Sequence, residues 1–192
     1  MLQVRDGAAD MLGVLFDRYH APLYGFYARL TGDRGLSEDL VQEVFLRILR
    51  YRQSYRPGTP FRAWMYQIAR NARVDHLRKT RPQTELDPEM PAPLPHTDAA
   101  QQEQETRLLH QALMSLPEEK REILILARFQ ELKYDEIARL VGCELITVRV
   151  RVHRALQELR EAFRQLERGG AMNKAAVTRG RRIPPGRVGN EV

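Results

Sequence analysis

The sequence predicts an all-α protein of two small helical domains, joined by a flexible Pro-rich acidic linker, with a helix-turn-helix in the second domain. Apolar residues recur every three to four positions on both sides of the linker, with almost no strand-like alternation. Residues 81–98 hold five prolines and several acids without a hydrophobic period, which is typical of an extended linker. We therefore expect domains at 1–81 and 106–168, the linker at 82–105 and a disordered basic tail at 169–192.

Charge is distributed unevenly along the 192 residues, whose formal net charge is +6. Residues 1–81 carry +6, residues 82–105 carry −6, residues 106–168 carry +2 and the tail carries +4. Two basic modules separated by an acidic joint favour a polyanionic partner. Ordinary solvated surface charge explains these net charges equally well, so charge alone does not establish a polyanionic partner and the sequence motifs must be considered.

Several classes of protein are excluded by composition. No apolar run approaches the roughly 18 residues that span a bilayer, and no signal pattern opens the chain, so we expect a cytoplasmic protein without membrane insertion. One cysteine, Cys143, excludes an internal disulfide and a multi-thiolate metal site. The five histidines are scattered without zinc-ligand spacing. We expect no metal and no cofactor.

The first domain should contain three helices. The first covers about residues 9–30, where Pro22 should bend or interrupt it. After a turn at 31–35, Ser37 is predicted to cap a second helix that ends near Arg52. Thr59 and Pro60 then begin a third helix that ends near Lys79.

The second domain should contain four helices. They are predicted at about residues 105–116, at Glu118–Phe129, at Tyr134–Val141 and from Leu145 to about Leu166. Gly142 suits the left-handed residue that ends the third of them. A short helix, a three-residue turn with glycine and a longer helix together have helix-turn-helix spacing.

The second helix of the first domain has two unlike faces. Its core stripe lies opposite a polar face that is centred on one leucine and consists of Asp39, Gln42, Glu43, Leu46 and Arg50. A docking surface with an apolar anchor fits this pattern, and a solvated face with one exposed leucine fits it too. An acid–base pair of Asp39 and Glu43 is disfavoured, because nothing on an open face would raise either pKa.

The third helix carries a basic and aromatic stripe beside its core stripe, made of Arg62, Tyr66, Arg70 and Arg73. Guanidinium groups that follow phosphates, with a ring among them that stacks on a base, suit a single-stranded nucleic acid. Complementing the helix dipole is the alternative, and it explains Arg78 and Lys79 at the C-terminal end. It does not explain Arg62 near the start.

The last helix presents a face suited to a DNA major groove. The face holds Ile146, Thr147, Val150, Arg151 and Arg154, with Arg149 and His153 to its side. Arginine can read guanine or phosphate, and branched aliphatic side chains can meet thymine methyl groups. A plain helical hairpin remains the alternative. Cys143 in the turn is interpreted as structural.

Taken in order, these pieces resemble a bacterial RNA polymerase sigma factor of the extracytoplasmic-function group. The matching motifs are LFDRYHAPLYGFYARLTGD, SEDLVQEVFLRIL, PFRAWMYQIARNARVDHLRK, LPEEKREILILARFQELKYDEIARLVG and TVRVRVHRALQELR, which cover most of residues 12–81 and 106–163. The resemblance implies a promoter-directing initiation factor with regions 2 and 4 as its domains. It implies polymerase core, promoter DNA (duplex and single-stranded) and an anti-sigma factor as partners.

Site residues follow from the resemblance. The surface implied to dock on the clamp helices of the polymerase is Asp39, Gln42, Glu43 and Leu46. Residues implied to melt and read the −10 element are Tyr55, Arg56, Arg62, Tyr66, Arg70, Asn71 and Arg73. Residues implied to read the −35 element are Ile146, Thr147, Arg149, Val150, Arg151, His153 and Arg154. Ile146 and Val150 depart from the small residue and the serine common in the family, so the base preference is left open.

Two other functions fit parts of the pattern. A helix-turn-helix transcriptional regulator would use the N-terminal module to sense a ligand or bind a partner, yet that module shows no obvious polar pocket. A helical adaptor protein fits the composition but leaves the arginine stripe unexplained. An enzyme fits least, because no nucleophile, metal cluster or phosphate loop is visible.

Overall fold

The computed structural model describes the backbone of residues 1–80 and 99–180, and the side chains of residues 1–79 and 103–169. Within these ranges the chain is helical and contains no strand. The helices are α1 (Leu2–Arg5), α2 (Met11–Thr31), α3 (Arg34–Arg50), α4 (Phe61–Thr80), α5 (Ala99–Ser115), α6 (Glu118–Leu124), α7 (Tyr134–Val141) and α8 (Leu145–Gly180). A short 3₁₀ turn follows α3, and a π turn at Ile125–Phe129 continues α6. The all-α prediction is confirmed.

Helices α2, α3 and α4 pack together as the first domain. Their buried faces are those that the apolar spacing predicts, with Phe26 from α2, Val44 from α3 and Met65 from α4 wholly buried. Pro22 lies inside α2 without ending it. The Tyr27 hydroxyl donates a hydrogen bond of 2.9 Å to the Ala69 carbonyl, which ties α2 to α4 inside the core.

The turn between α2 and α3 differs from its prediction. Gly32 ends α2 in the left-handed conformation at φ 75°, and Asp33 caps α3 by accepting a hydrogen bond of 2.9 Å from the Leu36 amide. The prediction that Ser37 is the cap was wrong, because Asp33 already has the extended backbone that a cap requires. Ser37 is instead buried in the first turns of α3, where its hydroxyl donates to the Asp33 carbonyl.

The second domain has its four helices where the sequence places them, with two corrections at its ends. Helix α5 begins at Ala99 rather than near Glu105, because residues 99–105 are alanine, glutamine and glutamate, which are good helix formers. Helix α8 continues through Gly169 and Gly170 to Gly180, into the tail predicted to be disordered. Two glycines cost roughly 2 kcal/mol, and the alanines that follow favour the helix. Residues 81–98, which include most of the predicted linker, and residues 181–192 of the tail lie outside the described residues.

The two domains pack against each other. Arg121 of α6 donates to the Leu30 carbonyl of α2 at 2.7 Å, and also to the Met114 and Leu116 carbonyls at 2.7 and 2.9 Å. The Arg29 guanidinium lies over the Phe129 ring, 4.6 Å from its centroid. At Gly32 an added Cβ would stand only 3.0 Å from the Met114 methyl group, so a glycine suits both the backbone and the contact.

The buried Tyr27 hydroxyl allows a test of the first domain's core. We expect Tyr27→Phe to lower the free energy of unfolding by about 1 kcal/mol, since a buried hydrogen bond is lost while the ring is retained. Denaturant titration followed by circular dichroism measures this change. Tyr24→Phe, on a partly exposed tyrosine of the same helix, is the control, and an equal loss in both variants would contradict the assignment.

Candidate functional site

The outer face of α3 is exposed as predicted, and its apolar centre is open. Leu46 is 63% exposed, and Asp39 and Gln42 beside it are also exposed. Glu43 is half-exposed and is held by Arg47, whose Nε lies 2.6 Å from its carboxylate. A large apolar side chain ringed by polar groups has the composition of a binding anchor.

Arg47 also joins this face to α4. Its Nη1 lies 2.7 Å from the Asp75 carboxylate, and this hydrogen bond holds the pKa of Asp75 below its ordinary value. Between the two helices runs an open groove lined by Arg47, Tyr51, Ile68, Asn71, Val74, Asp75 and Arg78. Asn71 is the predicted −10 residue in it. The pairing of Arg47 with Asp75 could not be predicted from periodicity within single helices, because it joins α3 to α4.

The loop before α4 contains two of the predicted −10 residues, and the structure buries one and exposes the other. Tyr55 is buried, with its ring 5.2 Å from the Trp64 ring in an edge arrangement, and its hydroxyl donates to the Thr59 carbonyl at 2.6 Å. Its visible role is therefore to shape the loop. Arg56 beside it is exposed.

The arginine and tyrosine stripe of α4 faces the second domain rather than solvent. Tyr66 is 1% exposed, and its hydroxyl bonds to the side-chain carbonyl of Gln130. Arg62 donates to the main-chain carbonyl of the same Gln130. Residue 130 follows the π turn, a position that helix periodicity did not mark as functional.

The other two arginines of the stripe meet carboxylates of α6. Arg70 makes a two-pronged ion pair with Glu122, with N–O distances of 2.8 and 3.1 Å, and also donates to the Leu140 carbonyl. Arg73 pairs with Glu118, and this hydrogen bond lowers the pKa of Glu118. Burial raises the pKa of the Tyr66 phenol, so this ring remains protonated and a hydrogen-bond donor.

The helix-turn-helix has the geometry that its spacing predicts. Gly142 ends α7 in the left-handed conformation at φ 69°. Ile137 from α7 and Val148 and Val152 from α8 are buried between the helices. This packing turns the opposite face of α8 outward, as a groove-reading helix requires.

The outward face of α8 contains the predicted −35 residues. Ile146 is 60% exposed and Val150 is 41% exposed, which is unusual for branched aliphatic side chains. Thr147 is half-buried, and the exposed remainder of the set is Arg149, Arg151, His153 and Arg154. The structure therefore brings together cations, a hydroxyl and apolar side chains on one convex surface.

Within the described residues, no group of three or more histidine, cysteine, aspartate or glutamate side chains could hold a metal ion. In the same part of the chain, no helix has both the length and the apolar character needed to cross a membrane.

His110 of α5 lies at the contact between the domains, near Ala28 and Arg29 of α2 and Arg121 of α6. It is half-buried, and among the described residues its Nε2 has no hydrogen-bond partner. Burial lowers its pKa below the ordinary value of 6.5, and Arg121 and Arg29 lower it further, while a backbone hydrogen bond at Ala28 opposes them. The protonated form is therefore disfavoured in the folded chain.

His110 should therefore make its whole contribution to the free energy of unfolding above the ordinary histidine pKa of 6.5. That contribution should be lost as the pH falls from 6.5 toward the lower pKa that His110 has in the folded chain. We expect His110→Gln to flatten the unfolding free energy between about pH 8 and 5 relative to the wild type. Denaturant titrations at several pH values measure this slope, and His20→Gln, on an exposed histidine, is the control. Parallel curves for the wild type and His110→Gln would exclude His110 as the source.

Two family models match the chain in the same order as its domains. Sigma-70 region 2 matches residues 15–83, and Sigma-70, region 4 matches residues 106–159. The chain is 35% identical to the RNA polymerase sigma factor CarQ of Myxococcus xanthus over 169 residues, which cover 87% of this chain and 97% of CarQ. It is 38% identical to the ECF RNA polymerase sigma factor SigE of Mycolicibacterium smegmatis over 151 residues, which cover 75% of this chain and 58% of SigE.

Solved structures share the fold. The sigma factor RpoE of Bartonella quintana, crystallised with the anti-sigma factor NepR, superposes with a TM-score of 0.69 at 23% identity, over 79% of this chain and 96% of RpoE. CnrH, in complex with the cytosolic domain of CnrY, gives a TM-score of 0.64 at 21% identity, over 83% of this chain and 92% of CnrH. At these identities the likeness concerns the fold alone.

Proposed function

Since the chain belongs to the extracytoplasmic-function group of RNA polymerase sigma factors, we propose that three of its surfaces divide the work of promoter recognition. The chain is a transcription initiation factor that directs RNA polymerase to promoters. The outer face of α3 binds the polymerase core, α4 and the loop before it bind the −10 strand, and α8 reads the −35 duplex. We assign the chain no catalytic reaction of its own, and we place its work in the cytoplasm, on the nucleoid when polymerase is bound.

One observation carries the proposal. The chain holds an exposed apolar anchor on α3 and an exposed groove-reading face on α8, each on the region whose family match implies that role. Run-off transcription with purified core polymerase tests it directly. Promoter-specific transcripts should appear only when the chain is added, and their absence on every promoter of a genomic library would overturn the proposal.

The anchor on α3 gives the core-binding surface a specific test. We expect Leu46→Ala to weaken core binding by roughly 1–3 kcal/mol, because a buried anchor loses its contacts. Folding stability should hardly change, since Leu46 is exposed in the free chain. Fluorescence titration of labelled chain with core measures the affinity.

Leu109→Ala is the matched control for this test, because Leu109 is an exposed leucine on α5 of the other domain. Equal affinities for wild type and Leu46→Ala would remove Leu46 from the docking surface.

On α8, Val150 gives the most specific test of duplex reading. An exposed valine on a groove-facing helix buries apolar surface when it contacts a thymine methyl group. We therefore expect Val150→Ser to change the base preference at a single A·T pair of the −35 element. Opening of the −10 region should be unaffected. Selection of −35 sites from a randomised duplex library measures the preference.

Val14→Ser serves as the control, since Val14 is an exposed valine of α2 outside all three proposed surfaces. A common consensus for the wild type and Val150→Ser would show that Val150 reads no base.

An anti-sigma factor is a further proposed partner. The solved neighbours RpoE and CnrH were each determined with a bound protein, and for RpoE that protein is an anti-sigma factor. In this chain the exposed Leu46, Val74 and Leu77 of the first domain supply apolar surface for such a partner. We propose that it competes with polymerase core for the outer face of α3.

A further inference from the structure

The loop before α4, residues 51–60, is held by different contacts at its two ends. Toward α4, the Tyr55 ring packs edge-on against the Trp64 ring, and the Tyr55 hydroxyl donates to the Thr59 carbonyl. Toward α3, the chain forms the short 3₁₀ turn Arg52–Ser54, which packs against α1. The N-terminal segment of the chain therefore contacts the start of this loop directly.

Helix α1 has only four residues, which is too short for a helix that is stable by itself. Tertiary contacts hold it in place, because Val4 is wholly buried and Met1 packs against the core. Helix α1 lies against α2 as well as against the 3₁₀ turn. Its position is therefore fixed by the first domain, and a segment bonded to α1 is fixed with it.

A side chain of the loop completes the hydrogen bonding of α1. The carbonyls of residues 1–4 accept hydrogen bonds from the backbone amides of residues 5–8. The carbonyl of Arg5, the last residue of α1, accepts instead from the Gln53 side chain, whose Nε2 lies 2.8 Å away. The last carbonyls of a helix need such partners from outside it. This bond ties the end of α1 to the 3₁₀ turn.

Gly7 determines the direction in which the chain leaves α1. Its φ is 113°, a backbone conformation that residues with a side chain rarely adopt. An added Cβ would meet no atom within 4 Å, so an alanine here would be disfavoured by the backbone and not by a clash. Substitution of Gly7 therefore disturbs α1 without touching the loop.

We propose that α1 is a positioning element for strand recognition, which fixes the start of the loop 51–60 through the Arg5–Gln53 hydrogen bond. The loop then presents the exposed Arg56 to an unpaired −10 strand in one arrangement. Helix α1 acts through the loop and makes no contact with the DNA itself. The inference rests on the proposed role of the loop in binding the −10 strand.

The physical basis is the conformational entropy of the loop. A loop that is ordered before binding loses less freedom when a ligand orders it, so the affinity is higher for the same contacts. Without the bond to α1, the 3₁₀ turn keeps its local hydrogen bonds, such as that from the Ser54 hydroxyl to the Tyr51 carbonyl at 2.8 Å. Local bonds preserve the turn, but they do not fix its position relative to α2.

The test uses two variants of the full-length chain, each with a matched control. Gln53→Met keeps the length of the side chain and removes the donor, and its control is Gln3→Met, on an exposed glutamine of α1. Gly7→Ala strains the end of α1, and its control is Gly13→Ala, on a glycine of α2 whose added Cβ would also meet nothing within 4 Å. Circular dichroism verifies that every variant is helical.

Two measurements are made on each variant. Hydrogen exchange of the free chain follows the Ser54 and Tyr55 amides, which both donate within the loop. Fluorescence anisotropy of the holoenzyme, assembled with core polymerase, measures binding to a labelled single strand from the −10 region of a promoter transcribed in the run-off test. The −35 duplex of the same promoter is measured in parallel.

We expect both variants to exchange the Ser54 and Tyr55 amides faster than the wild type. Both should bind the strand about three- to tenfold more weakly, because the loop must be ordered on binding. Binding to the −35 duplex should be unchanged, and both controls should match the wild type. The agreement of Gly7→Ala with Gln53→Met would separate positioning of the loop from a direct contact between Gln53 and DNA.

Two results would overturn the inference in distinguishable ways. Unchanged exchange in both variants would show that α1 does not hold the loop, while leaving the proposed role of α4 and its loop intact. Faster exchange with unchanged affinity for the strand would show that the loop is no part of the strand-binding surface, which also removes that part of the proposed function.

Discussion

A row of guanidinium groups on a helix buried by tertiary packing must find acceptors, and this constraint organises the contact between the two domains. Arg62, Arg70 and Arg73 lie on one side of α4, where each is only partly exposed. Each is met by a carbonyl or carboxylate from the second domain. Arg121 of α6 is paired in the opposite direction, since its guanidinium donates to the Leu30 carbonyl near the end of α2. The arrangement of the domains is therefore specified by polar pairing as well as by apolar burial.

Helix periodicity could predict most of the fold because each helix buries one stripe. The apolar stripes of α3, α4 and α7 pack into or against the core where their spacing places them. The stripe of α8 does so except at Leu145, which is 40% exposed, and the outer faces of α3 and α8 are exposed as expected. The exact helix boundaries could not be predicted in the same way. Asp33 rather than Ser37 caps α3, and α5 begins at Ala99, because several residues compatible with a boundary stand close together and only the chain's path selects among them.

The sequence could predict which residues of the candidate site share a helix face, but it could not predict which of those faces are exposed to solvent. The spacing of Tyr66 and Arg70 places them on one stripe of α4. Whether that stripe meets solvent depends on Glu122 and Gln130, which lie more than fifty residues later in the sequence. Gln130 has no apolar or charged signature, and its importance comes from the π turn that positions it. Pairings between distant segments are a property of the folded chain, so a single sequence cannot supply them.

The distribution of charge has a consistent physical meaning in this arrangement. The excess of positive charge in residues 1–81 attracts nucleic acid at long range, and its arginines would bind any polyanion once exposed. In this arrangement Glu122 and Glu118 neutralise Arg70 and Arg73 from within the chain. The outward face of α8 keeps its own cations exposed beside Thr147 and Val150, whose side chains are of the kind that can distinguish one base from another. Under the proposed function, selectivity for a promoter depends on this face of α8, because phosphate contacts alone carry no sequence information.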